Sequence, residues 1–217
     1  MNLFGRGKRR IPLKYYLYLS QSKLDNLAPQ IPQSFIKAFE TEFKVSAGVL
    51  GATVRGKPGG DPSEVSARVG VLDAYLRKSE PPGSVAQPGR YIAGAESFRY
   101  GIVHEYASQL AFFGGPVDGV RCALIGSPDS LVGAAPKAGA NHAPYYYTLK
   151  FLNALASAPE WQQATGEPDY YSYPEAVDIA LQALSSTPPT RLEFLAKTLH
   201  VEPGVVVATP IYVAMAD

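Results

Sequence analysis

The sequence predicts an α+β or α/β fold, in which helices pack on a mixed β-sheet that contains a central β-meander. Residues 90–127 contain three apolar strands separated by turn residues. Residues 61–80 carry apolar side chains at helical spacing, and residues 205–216 form an apolar run typical of a buried strand. With 217 residues, the chain is long enough to bury a hydrophobic core.

The predicted domain organisation is a flexible basic N-terminal tail over residues 1–10 and a single globular domain over residues 11–217, with a helical section at about 145–200. The tail contains the run GRGKRR, in which four of six residues are basic. We interpret it as a frayed, solubilising terminus. The alternative is an electrostatic arm for nucleic acid or an anionic surface.

The first predicted strand covers residues 11–20. Alternate side chains of a strand face opposite sides, so leucines and Tyr15 would share one face, and Lys14, Tyr16 and Tyr18 the other. Because the second face is largely aromatic, we expect both faces to be covered, as in a central strand that is packed by helices.

Capping patterns predict the helices. Asp61, Pro62 and Glu64 form a capping box with proline in the first turn, and Thr190 and Glu193 have capping-box spacing. Helices are therefore predicted after Ser22 and over residues 32–43, 61–80, 145–157, 172–184 and 190–200.

The remaining strands are predicted from apolar runs between turn residues. They cover residues 45–54, 90–103, 109–113 and 120–125, and the run GGPVDG is the predicted turn before the last of these. Residues 126–144 form a loop of small residues that is too long to be a simple connector, and loops of this length are usually functional or disordered.

Composition and charge exclude several functional classes. The formal net charge is +1 and no basic stripe lies in the body of the chain, so nucleic acid is not expected as a main partner. The single cysteine, Cys122, lies in an apolar run and predicts a buried, unreactive thiol without a disulfide. No apolar run is long enough to span a membrane, and the N-terminus lacks a clean signal-peptide core. We therefore expect a cytoplasmic protein with no membrane partner.

The sequence contains no strong catalytic or cofactor motif. It has neither a phosphate-binding loop nor a nucleophile elbow. Its three histidines, His104, His142 and His200, lack the paired spacing of metal ligands. We expect neither a metal nor a cofactor.

Two candidate ligand sites lie on the meander. Backbone N–H groups near Gly126, Ser127 and Ser130 would suit an anion at the end of a strand, although ordinary capping explains the serines as well. Arg99 beside Tyr100 would offer a planar donor fork next to an aromatic ring. The structural alternative is cross-strand aromatic packing with a surface arginine.

Two weaker candidates lie elsewhere. His142 is a candidate acid or base, and Lys23 and Asp25 are candidates to bind a polar ligand at the end of the first strand. Solvation explains His142 and Lys23 equally well, and capping explains Asp25. An enzyme would need His142, Arg99 and a carboxylate such as Asp25 or Glu96 around one pocket.

Several short motifs carry a resemblance to a known family. They are YYLYLSQSKLDNLAPQIP, RYIAGAESFRYG, AFFGG, ALIGSPDSLVGA, LEFLAKTL and VVVATPIYVAMAD. In this order they resemble an uncharacterised bacterial family, common in actinomycetes, that is known only as a conserved domain of unknown function. The resemblance covers roughly residues 14–134 and 190–217, and it implies no activity and no catalytic residues. Members of this family are similar in size to ligand-sensing and interaction modules of bacterial signalling and conflict systems, and this analogy rests on size alone.

These observations favour a non-catalytic module that binds a small molecule, nucleotide-like or anionic, or a protein partner. The 14 tyrosines support this, since tyrosine supplies rigid contact area with a polar tip. The alternative is a hydrolase or transferase that acts on a nucleotide-like or phosphorylated small molecule. A third possibility is homo-oligomer formation through the apolar insert around Trp161.

Overall fold

The computed structural model describes residues 14–43, 62–103, 110–133 and 173–216. Contacts between Cα atoms divide the chain into two compact units. The first unit comprises Met1–Lys14 and Gln21–Pro81, and the second comprises Tyr15–Ser20 and Pro82–Asp217. The predicted tail, the strand over 45–54 and the helix over 145–157 lie outside the described residues.

The described part of the first unit is helical. It contains α1 (Gln21–Leu27), a 3-10 turn (Ala28–Gln30), α2 (Gln33–Phe43) and α3 (Pro62–Ser79). The predicted helices over 32–43 and 61–80 are therefore confirmed. The apolar stripe predicted for α3 is buried, with Val65, Val69, Leu72 and Leu76 at helical spacing.

The second unit contains six described strands and one described helix. These are β1 (Tyr16–Leu19), β2 (Tyr91–Val103), β3 (Leu110–Val117), β4 (Val120–Gly126), α4 (Tyr173–Ala183), β5 (Thr190–Glu202) and β6 (Val205–Met215).

Five of these strands form a closed barrel. The predicted meander is confirmed, since β2, β3 and β4 pair antiparallel in sequence order. β5 returns to the side of β2, which makes a Greek key. β6 then closes the ring by pairing antiparallel with β5 and parallel with β4. The sheet is mixed, as predicted, but its closure into a barrel was not predicted.

The helix predicted over residues 190–200 is wrong, because this segment is strand β5. Its side chains Leu192, Phe194 and Ala196 alternate into the barrel, and its backbone pairs with β2 on one side and β6 on the other. These two ladders override the helical tendency of the sequence. Of the helical section predicted at about 145–200, the part over Tyr173–Ala183 is confirmed as α4.

The first strand is also not central. β1 is a short strand at the end of the sheet, and its ladder is formed with β6. A register shift between Tyr16 and Tyr18 breaks the expected alternation of faces. Tyr18 is fully buried whereas Tyr15 is 74% exposed.

The turn between β3 and β4 is tighter than predicted. β3 continues through the Gly-Gly-Pro-Val run, and only Asp118 and Gly119 form the turn. Both residues have positive φ, 49° and 81°, which is the conformation of a two-residue hairpin turn that favours Asp-Gly.

Alternate side chains of the barrel strands form two separate cores. The interior core contains aromatic pairs, including Phe98 with Phe194 at 5.5 Å between ring centroids. Its members include Tyr18, Ile92, Phe98, Ala111, Phe113, Cys122, Leu124, Leu192, Phe194, Val206, Ala208 and Val213. On the opposite face, α4 packs through Ala176, Val177 and Ala180 against strand residues that include Phe112, Ala123, Ile125, Val205 and Val207.

Gly126 gives the first testable prediction. A Cβ atom at this position would collide with the phenol oxygen of the fully buried Tyr18. We expect Gly126→Ala to lower the free energy of unfolding by about 1–3 kcal/mol, because overpacking displaces a core side chain. Urea unfolding measures this change. A Cβ at Gly89 would make only ordinary contacts, so Gly89→Ala is the matched control, and equal stability of both variants would contradict the prediction.

Cys122 gives a second prediction. The thiol is fully buried in the barrel, and burial, followed by the charge of Glu96, raises its pKa. Since the thiolate is the reactive form, a thiol reagent should modify Cys122 only as fast as the barrel opens. The reaction is followed by mass spectrometry with and without urea. Rapid modification in native buffer would show that the thiol is accessible.

Candidate functional site

Asp25, a predicted site residue, is engaged in an ion pair within the helical unit. Its Oδ1 accepts a hydrogen bond from Nη2 of Arg68 on α3 at 2.6 Å. Arg68 is only 7% exposed, whereas Asp25 is 48% exposed. Because a buried guanidinium without its carboxylate would be costly, Asp25 has a structural role that capping does not describe.

Lys23 lies two residues earlier on α1 and is partly buried. Burial lowers the pKa of its amine from 10.5 to about 7, since a buried ammonium loses its hydration. Perturbed titratable groups are more frequent at functional sites, so Lys23 stays a predicted ligand-binding residue.

Arg99 and Tyr100 face opposite sides of β2. Nε of Arg99 donates a hydrogen bond to the carbonyl oxygen of Thr187 at 3.1 Å. The ring of Tyr100 stacks on Phe113, with 5.8 Å between centroids, among the interior core residues. The donor fork of Arg99 and the ring of Tyr100 therefore lie on opposite faces of the strand, and both stay predicted ligand-binding residues.

The enzyme hypothesis required Arg99 and a carboxylate such as Glu96 in one pocket. Glu96 faces the barrel interior, where its charge acts on Cys122 and its carboxylate lies near Gly94 and Phe194. Arg99 faces the other side of the same strand. His142, the third member of this set, lies outside the described residues, as does Trp161.

The backbone amides after Gly126 are engaged within the chain. Ser127 caps a 3-10 turn (Pro128–Ser130), since its Oγ accepts from the amide of Asp129 at 3.2 Å. The amides of Ser130 and Leu131 donate to the carbonyls of Ser127 and Pro128. An anion at this strand end would have to displace these hydrogen bonds.

A different cluster of polar and aromatic side chains lies where α4 packs on the barrel. The ring of Tyr173, at the start of α4, stacks on the imidazole of His200 with 3.9 Å between centroids. Oε2 of Glu202 lies 3.5 Å from Nε2 of His200. We call Tyr173, His200 and Glu202 the α4–β5 cluster.

A bulge in β5 positions this cluster. Up to Thr198, the even-numbered residues of β5 share the face of the interior core, as Leu192, Phe194 and Ala196 show. The register with β6 then shifts between Thr198 and His200. His200 comes to lie opposite Val207, a residue of the core under α4. The bulge therefore turns the end of the strand toward α4, a frequent use of bulges near functional sites.

Two polar atoms of the cluster lack hydrogen-bond partners. Nε2 of His200 and Oε1 of Glu202 have almost no solvent-accessible surface, and neither makes a hydrogen bond within the described chain. The side chains are nevertheless 32% and 34% exposed. Buried polar groups are nearly always satisfied, so these two atoms are exceptions to that rule within the described chain.

Arg121 and Asp178 form an ion pair beside the cluster. Nε of Arg121 on β4 donates to Oδ1 of Asp178 on α4 at 2.6 Å, and this hydrogen bond is the main cause that raises the pKa of Arg121. Arg121 and Glu202 both pair with Val205, so two strand spacings, about 10 Å, separate their backbones. Asp178 is therefore the ion-pair partner of Arg121.

The α4–β5 cluster was not predicted, although its residues are adjacent in sequence. His200 and Glu202 are separated by one residue, a spacing that places two side chains on one face of a strand but not of a helix. The helix predicted over residues 190–200 would place these two side chains on different faces, so it gives no signal for the cluster.

Two further properties of the described chain bear on function. Its His, Cys, Asp and Glu side chains nowhere gather in a group of three that could hold a metal ion. Its helices are all too short or too polar to cross a membrane.

Lys23 gives a third testable prediction. Between about pH 7 and 10.5 the folded state binds fewer protons at Lys23 than the unfolded state, so stability should rise with pH across this window. Lys23→Met should remove this rise and be more stable than the parent at pH 7 and below. The stability gained by Lys23→Met is at most about 1.4 kcal/mol for each unit by which burial lowers the pKa of Lys23. Solvent around the side chain reduces this gain.

Urea unfolding at several pH values across this window measures the effect. Lys37 is exposed on α2, which makes Lys37→Met the control. A pH dependence that is the same in both variants would exclude Lys23 as its source.

Comparisons with known proteins agree with the resemblance seen in the sequence. No curated protein and no solved structure matches the chain. One family model does, and it covers residues 14–217, including residues 140–190, for which the motifs give no resemblance. The chain therefore belongs to DUF7019, a family of unknown function.

Proposed function

We propose that the protein is a non-catalytic module that binds a small molecule at the α4–β5 cluster and serves a bacterial signalling or conflict system. The observation that supports this most directly is that two partly exposed polar side chains lie side by side, with Nε2 of His200 3.5 Å from Oε2 of Glu202. A small polar molecule would contact the exposed parts of both side chains.

The surroundings of these atoms also suit a binding site. Tyr173 and His200 present a rigid aromatic stack, and large planar side chains provide contact area at little entropic cost. The cluster is anchored on a barrel strand and on the first residue of a packed helix. Side chains held by regular elements are more exactly positioned than those on loops.

A second candidate function is enzymatic, and one specific contact favours it. The carboxylate of Glu202 lies 3.5 Å from the imidazole of His200, and on closing by a few tenths of an ångström it would make the hydrogen bond by which a carboxylate orients a histidine for acid–base catalysis. In that case His200 would move a proton during hydrolysis or group transfer on a nucleotide-like or phosphorylated small molecule, with Glu202 as the positioning residue.

Native mass spectrometry of freshly purified protein, compared with its denatured mass, tests both candidates. We expect a bound small molecule in the native peak. Tyr173→Ala should lower the occupancy of the bound molecule about tenfold, which corresponds to a loss of about 1.4 kcal/mol of binding free energy. Tyr75, which makes a similar aromatic contact with Phe35 in the helical unit, provides the control variant Tyr75→Ala.

The released molecule is then incubated with fresh protein. An unchanged mass supports a binding module. A changed mass that depends on His200, tested with His200→Gln, would replace the binding proposal with the enzymatic one. Equal occupancy in Tyr173→Ala and Tyr75→Ala, or an unliganded native mass together with no thermal stabilisation by nucleotides, amines or carboxylates, would contradict a ligand site at the cluster.

A further inference from the structure

We draw no further inference here: the strongest candidate, the exposed apolar patch where Tyr15, next to β1, and Met215, at the end of β6, lie side by side, carries nothing, because nothing in the described part of the chain shows what covers it.

Discussion

The barrel depends on β6 having hydrogen-bond partners along both of its sides. β5 lines one side over the whole strand, whereas β4 and then β1 line the other. With both sides occupied, the strand leaves no row of free amides that could pair with another chain. The closed ring encloses the interior core, and the outer surface beside the β5–β6 hairpin becomes the face on which α4 packs.

The α4–β5 cluster is a consequence of one extra residue in a ladder. Without the register shift between Thr198 and His200, the alternation of β5 would turn His200 and Glu202 into an apolar interior, where an unpaired carboxylate is costly. The bulge turns them to the face of α4 instead. The bulge thus divides β5 into two parts. The residues before it contribute side chains to the interior core, and the residues after it place polar side chains on the outer face.

Local patterns predicted the elements whose partners are near in sequence, and failed where distant pairing decides. The capped helix α3 and the three-stranded meander followed from spacing and turn residues. Thr190 and Glu193 have capping-box spacing, yet β2 and β6 impose a strand there. The same error concealed the cluster, since His200 and Glu202 share a face only in a strand. The opposite orientations of Arg99 and Tyr100 followed from alternation alone and could have been foreseen.

The pairing of β6 with β1 also joins residues that are far apart in the sequence. The meander consists of neighbours in sequence and needs no long loop to close, but the ladder between β1 and β6 joins residues near 16 to residues near 214. Contacts of such long separation slow folding to the range of about milliseconds to seconds. Until β5 and β6 have paired, the outer edges of β2 and β4 present unpaired backbone N–H and C=O groups, which can pair with another chain.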